Sequence, residues 1–140
     1  LKMEYTIDNL SDLSAVAGSF IREYEGCKLV AFDGEMGVGK TTFISKLLQV
    51  MGITELEGSP TYSIVNEYSS AKYGKIYHFD LFRLKNEIEA LEMGIEEMLY
   101  GGAICFIEWP EKIYDLLPEN TIWVYIRKKE DDSRILMVEA

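Results

Sequence analysis

The residues best suited to chemistry form one continuous run. Gly34-Glu35-Met36-Gly37-Val38-Gly39-Lys40-Thr41 fits the pattern G-x-x-x-x-G-K-[ST] in full. Each residue type answers a need of polyphosphate binding. Glycines at 34, 37 and 39 let the backbone wrap tightly and turn its N–H groups toward phosphate oxygens. A helix starting near Gly39 adds its N-terminal dipole and unpaired amides. Lys40 places a positive charge between the β- and γ-phosphates, and the Thr41 hydroxyl can ligate Mg²⁺. Thr42 is placed to reach the α-phosphate. A glycine turn capping an ordinary helix is the plain alternative. An apolar run leading in (Lys28–Phe32) and an amphipathic segment leading out favour the phosphate-binding loop.

Phosphoryl chemistry also needs a metal-holding carboxylate and a group that positions water. Two acidic residues end apolar runs. Asp80 closes Ile76-Tyr77-His78-Phe79-Asp80, and Glu108 follows Ile104-Cys105-Phe106-Ile107. In an open α/β sheet, ligands gather at the carboxyl ends of the strands, so both should face the phosphates. Thr61 follows Pro60 in an irregular segment, where a hydroxyl could engage Mg²⁺ or the γ-phosphate only when triphosphate is bound, as in a switch. A plain loop is the alternative there. His78 alternates with Tyr77 and Phe79, which suits a packed, hydrogen-bonded histidine better than a catalytic base. Trp109 can cover the site or a partner surface, or simply fill the core.

These residues need a scaffold that presents strand ends to a helix start. Met3–Ile7 reads as a strand. Leu10, Leu13, Val16, Ala17, Phe20, Ile21 and Tyr24 draw one apolar helix face that Gly26 stops. Cys27–Phe32 fits a buried strand, and Lys40–Met51 a helix ended by Gly52. Ile64–Tyr68 and Lys75–Leu81 read as strands joined through Tyr73-Gly74. Asn86 can cap a helix over Glu87–Met93, and a second short helix covers Ile95–Tyr100. Ala103–Trp109 is a further buried strand, and Glu111–Leu117 a short helix. Thr121–Lys128 and Arg134–Glu139 form a last pair of strands around a polar turn. The alternation predicts an α/β fold, a P-loop NTPase-like three-layer sandwich with a mostly parallel central sheet.

Composition narrows the class of protein. At 140 residues, a single domain spanning 1–140 is expected, and 48% hydrophobic content supports a core. No apolar run reaches a membrane span, and the first residues lack the features of a signal peptide. Cys27 and Cys105 both lie in apolar runs, which predicts reduced, buried thiols and a cytoplasmic setting. The net charge of −10 disfavours tight direct binding of nucleic acid.

Beyond the loop, the order of motifs is more specific. Ser59-Pro60-Thr61-Tyr62, Tyr77-His78-Phe79-Asp80-Leu81-Phe82-Arg83-Leu84, Glu92-Met93-Gly94 and Ile107-Glu108-Trp109-Pro110-Glu111 follow one another after the loop. Together they resemble the TsaE (YjeE) family, P-loop ATPases of threonylcarbamoyladenosine (t6A) modification of tRNA. The resemblance runs from the N-terminal helix to Leu117-Pro118. It implies that Lys40 and Thr41 bind phosphates and Mg²⁺, and that Glu108 is the metal-linked carboxylate of the Walker B strand. It also implies that Thr61 belongs to a switch-like loop, that Asp80 aids catalysis, and that Trp109 and Arg134 lie at the nucleotide. The residues around Asn9–Ser14 lie where that family approaches the adenine. The cofactors implied are ATP and Mg²⁺, and the partners are TsaB-like and TsaD-like proteins, with tRNA held mainly by those partners.

The resulting expectation is an ATPase that is slow alone and faster in a complex. Two other classes stay open. One is a small-molecule kinase, although the chain has no arginine-rich lid. The other is a nucleotide-gated binding module whose hydrolysis is incidental. A regulatory GTPase is disfavoured because neither N-K-x-D nor D-x-x-G occurs in the sequence.

Overall fold

Apolar strands and amphipathic helices follow one another along the chain. Of the apolar face expected of the first helix, Leu13, Val16, Ala17 and Phe20 are buried, whereas Leu10, in the first turn, is exposed. A computed structural model describes residues 2–54 and 63–140. The order is β1 (Lys2–Ile7), α1 (Leu10–Glu23), β2 (Leu29–Asp33), α2 (Lys40–Val50), β3 (Val65–Ser70) and β4 (Gly74–Asp80). Then come α3 (Glu87–Glu92), α4 (Ile95–Tyr100), β5 (Ile104–Glu108), a 3₁₀ segment (Pro110–Leu116), β6 (Ile122–Lys128) and β7 (Arg134–Glu139).

Among the described residues, seven strands join one sheet in the order β1-β7-β6-β2-β5-β4-β3. The four central strands, β6, β2, β5 and β4, are mutually parallel. The outer pairings, β1–β7, β7–β6 and β4–β3, are antiparallel. The mostly parallel sheet expected from sequence is therefore confined to the centre, and the sheet as a whole is mixed. The reason is connection length. β3–β4 and β6–β7 are joined by tight turns, which can link only antiparallel neighbours, whereas parallel neighbours need a crossover.

The sheet carries a separate apolar layer on each face. Val30, Phe32, Ile76, Ile104, Phe106, Ile122 and Val124 point to the face covered by α1 and α2. Leu29, Phe79, Cys105 and Ile107 point the other way, toward Ala90, Ile95, Leu99 and Ile113 of α3, α4 and the 3₁₀ segment. This is the three-layer arrangement expected of the sequence. Phe20 of α1, Phe43 of α2, Phe32 of β2 and Phe106 of β5 form a chain of edge-on ring contacts with centroids 6.0–6.2 Å apart. That chain fixes α2, and so the loop before it, against the central strands.

Helix boundaries follow local capping. Asn9 and Asp12 make a reciprocal capping box at the start of α1. The Asn86 side chain caps α3 by accepting from the Glu89 amide at 2.9 Å. One expectation fails. Cys27 is exposed in the turn after α1, because β2 begins only at Leu29. Cys105 is buried in β5, where desolvation pushes its thiol up to about 12. Among the described residues, no helix is long and apolar enough to cross a membrane. Thr61, with Ser59 and Pro60, lies outside the described residues.

Candidate functional site

Gly34 leaves β2 and the chain curls over the start of α2. A Cβ at Gly34 would lie 2.7 Å from Val38 Cγ1 and 3.0 Å from the Ile126 carbonyl oxygen, so the loop closes tightly only without a side chain. Gly39 takes φ +114° as the residue preceding α2 and offers no side-chain cap. The Phe43 amide bonds the Gly39 carbonyl at 2.9 Å. The helical amides ahead of Phe43 have no carbonyl within the helix to bond, which is the geometry that receives an anion.

β4 and β5 bring the two carboxylates to this loop. Asp80 is the register partner of Glu108, and both strands run their carboxyl ends toward α2. Lys40, Thr41, Thr42, Asp80, Glu108 and Trp109 line one cavity of about 280 Å³ together with Met36, Gly37, Gly39 and Phe82. Both strand-end acids thus meet the loop in one place. Glu108 is 2% exposed, so its carboxylate needs partners. Oε1 accepts from Thr41 Oγ1 at 2.8 Å, and Oε2 lies within hydrogen-bond distance of His78 Nε2, at 2.5 Å. His78 is packed and hydrogen-bonded, as its alternation with aromatics suggests. Its bond to Glu108 was not legible from sequence, although its place two residues before Asp80 puts it on the same face of the sheet.

Lys40 is buried at 5% exposure. Its Nζ donates to the Gly34 carbonyl at 2.7 Å and sits 3.5 Å from the centre of the Trp109 ring. Burial holds this ammonium below its usual range, while the carboxylates of Glu108, Glu111, Asp33 and Asp80 pull in the opposite direction. Trp109 follows β5 in the left-handed region at φ 58°, an uncommon conformation for a bulky residue. That turn lays the ring over Lys40, and the ring packs against Phe82 with centroids 5.2 Å apart. Phe82 is a lining residue that sequence reasoning did not single out.

A second cavity of about 330 Å³ adjoins the first, sharing Gly37, Gly39 and Thr42 as walls. Its apolar walls include Leu10, Leu13, Phe43 and Leu136, and its polar edge includes Asp8, Asn9, Asp132 and Arg134. Val38 lies on this side of the loop, and the exposed Met36 on the side of the first cavity. Arg134 Nε donates to the Val38 carbonyl at 2.9 Å, bracing the loop from β7. Neither cavity is lined by Glu35.

Among the described residues, the side chains with oxygen donors that line the first cavity are Thr41, Thr42, Asp80 and Glu108. Among the described residues, no three His, Cys, Asp or Glu side chains gather into a metal cage. This donor set fits Mg²⁺, which is commonly held by one or two carboxylates, water and substrate phosphates.

Known proteins resemble the chain along most of its length. The family model described as threonylcarbamoyl adenosine biosynthesis protein TsaE matches residues 7–136. A tRNA threonylcarbamoyladenosine biosynthesis protein TsaE from Haemophilus influenzae is 42% identical over 111 residues, covering 79% of this chain and 69% of the relative. The protein of the same name from Rickettsia bellii is 32% identical over 136 residues, covering 96% and 93%. The crystal structure of Bacillus subtilis YdiB superposes with a TM-score of 0.80 at 24% identity, covering 99% of this chain and 84% of that one, and so shares the fold. A match spanning both the phosphate-binding loop and the strands that carry Asp80 and Glu108 settles the lineage: the chain belongs to the TsaE family of threonylcarbamoyl adenosine biosynthesis proteins.

Proposed function

We propose that the protein is a Mg²⁺-dependent ATPase that works in the cytoplasm with TsaB-like and TsaD-like partners, supporting threonylcarbamoyl transfer to adenosine 37 of tRNA. The observation that carries the nucleotide reading is the meeting of Lys40, Thr41, Asp80 and Glu108 in one cavity beside a second, mainly apolar one. Phosphates would occupy the first. The nucleoside would occupy the second, between α1 and β7, with Arg134 and Asn9 at its edge. The modification role follows from the family and from the names of its relatives.

In this reading the chain's residues divide the work. The loop amides and Lys40 stabilise charge on the β- and γ-phosphates, with Lys40 exchanging the Gly34 carbonyl for phosphate oxygen. Thr41 and Glu108 would hold Mg²⁺. When bound, the metal neutralises charge on the phosphate oxygens. Asp80 orients the attacking water, and Thr61 belongs to a segment that answers to the γ-phosphate. Trp109 covers the phosphate end of the site.

Arg22, Arg83, Arg127 and Arg134 are the chain's only arginines, and none lines the phosphate cavity among the described residues. An arginine supplied in trans accelerates other P-loop enzymes by about 10³-fold or more. Hydrolysis by the isolated protein is therefore expected to be slow, and partners to raise it. The test is ATP turnover with and without the two partners. A rate that is already maximal for the free protein would overturn the partner-dependent reading. Lys40→Ala should abolish nucleotide binding, whereas Glu108→Ala should keep some binding and lose hydrolysis. If the Glu108 variant still sustained tRNA modification, a nucleotide-gated binding module would be the correct description. Transfer of labelled phosphate to a small acceptor would instead indicate a kinase.

A further inference from the structure

His78 belongs to no phosphate-binding motif, and the chemistry proposed above does not use it. The β4–β5 register nevertheless brings it to the site. His78 lies opposite Phe106, one step along the same face from the Asp80–Glu108 pair. The ring is buried, and Nε2 stands 2.5 Å from Glu108 Oε2. An ionised carboxylate can only accept, so Nε2 carries the proton and donates it. The other oxygen of the same carboxylate accepts from Thr41. Glu108 is thus held at both oxygens, by β4 on one side and α2 on the other.

Glu108 has a flexible side chain, and its strand fixes only the direction in which it leaves the backbone. A carboxylate held by Thr41 alone could swing about that one contact. The second hold fixes the carboxylate plane and keeps Oε1 against Thr41, which lines the first cavity. We propose that His78 is a positioning residue for metal binding, acting through its Nε2–H bond to Glu108 Oε2. The proposal rests on the Mg²⁺–nucleotide reading of this cavity. A histidine that merely filled core space beside Phe106 would be replaceable by shape alone. A positioning histidine is replaceable only by a donor that reaches Oε2. Glutamine places its amide nitrogen at about the reach of imidazole Nε2, whereas asparagine is one methylene shorter. Partners that orient a metal ligand in this way typically change metal affinity by about 10–100-fold when removed.

The experiment is calorimetric titration of ADP into wild type, His78→Gln, His78→Asn and His78→Leu, each with EDTA and with Mg²⁺. The ratio of the two affinities isolates the gain due to the metal. The gain should fall by about tenfold or more in the Asn and Leu variants and stay within about threefold of wild type in the Gln variant. Affinity for ADP in EDTA should be unchanged throughout. If the Leu variant fails to fold, the Gln–Asn comparison decides. Equal gains in wild type and Asn, or Gln losing as much as Asn, would overturn the proposal and leave the nucleotide reading standing. Wild type that binds no ADP, or gains nothing from Mg²⁺, would overturn the site reading and this proposal together.

Discussion

Gly34 shows how little room the loop before α2 has. A side chain there would press on the Ile126 carbonyl, a backbone atom of β6 that cannot swing aside, and on Val38 within the loop. Gly34→Ala should therefore leave the fold intact but push the loop away from β6. The expected outcome is nucleotide affinity reduced by about tenfold, equivalent to about 1.4 kcal/mol, with an unchanged circular dichroism spectrum. An affinity equal to wild type would show that the loop adjusts without loss. The motif in the sequence announces the glycine, but one of the atoms that crowd it, the Ile126 carbonyl oxygen, belongs to a strand more than ninety residues downstream. The same holds for Glu108. Its type and strand-end position are legible, whereas its two hydrogen-bond partners come from α2 and β4.

At the scale of elements, α2 links the core to the site. Its buried residues Phe43, Ile44, Leu47 and Leu48 pack into the layer between sheet and helices, while its first turn carries Lys40 and Thr41. Leu47 is fully buried. Leu47→Ala should lower stability by about 2–5 kcal/mol, measured by denaturant unfolding, through lost burial and the cavity left behind. Nucleotide affinity of the folded variant should change far less, because Leu47 lies more than a turn beyond the first amides of α2. A loss confined to affinity, with unfolding unaltered, would contradict this division between core and site. Period and caps made α1, α2 and α3 legible in the sequence, since Asn9, Asn86 and the apolar spacing are local signals. The start of β2 was not legible. Cys27 is apolar and adjoins a strand, but it still belongs to the turn that ends α1.

At the scale of the whole molecule, charge governs what the protein can hold by itself. With a net charge of −10, the isolated chain should show little retention of tRNA in a mobility-shift assay at physiological salt. Retention should appear when the proposed partners supply basic surface. Tight, salt-sensitive binding of tRNA by the chain alone would show that its charge is distributed more unevenly than its total suggests. The mixed sheet is also a property of the whole. Tight turns force β3 and β7 to run antiparallel to their neighbours, and β1 then closes the far edge against β7.

The glycine-rich loop motif, the α/β class and the two strand-end carboxylates were legible in the sequence by itself, because each is written in local order: a fixed motif, a period of two or 3.6, an acid after an apolar run. How those pieces meet follows from the packing of segments far apart in the chain. Strand order put Asp80 beside Glu108, register turned His78 onto the same carboxylate, and the bend after β5 laid Trp109 over Lys40. Such pairings depend on which distant segments share an edge, and no local pattern encodes that choice.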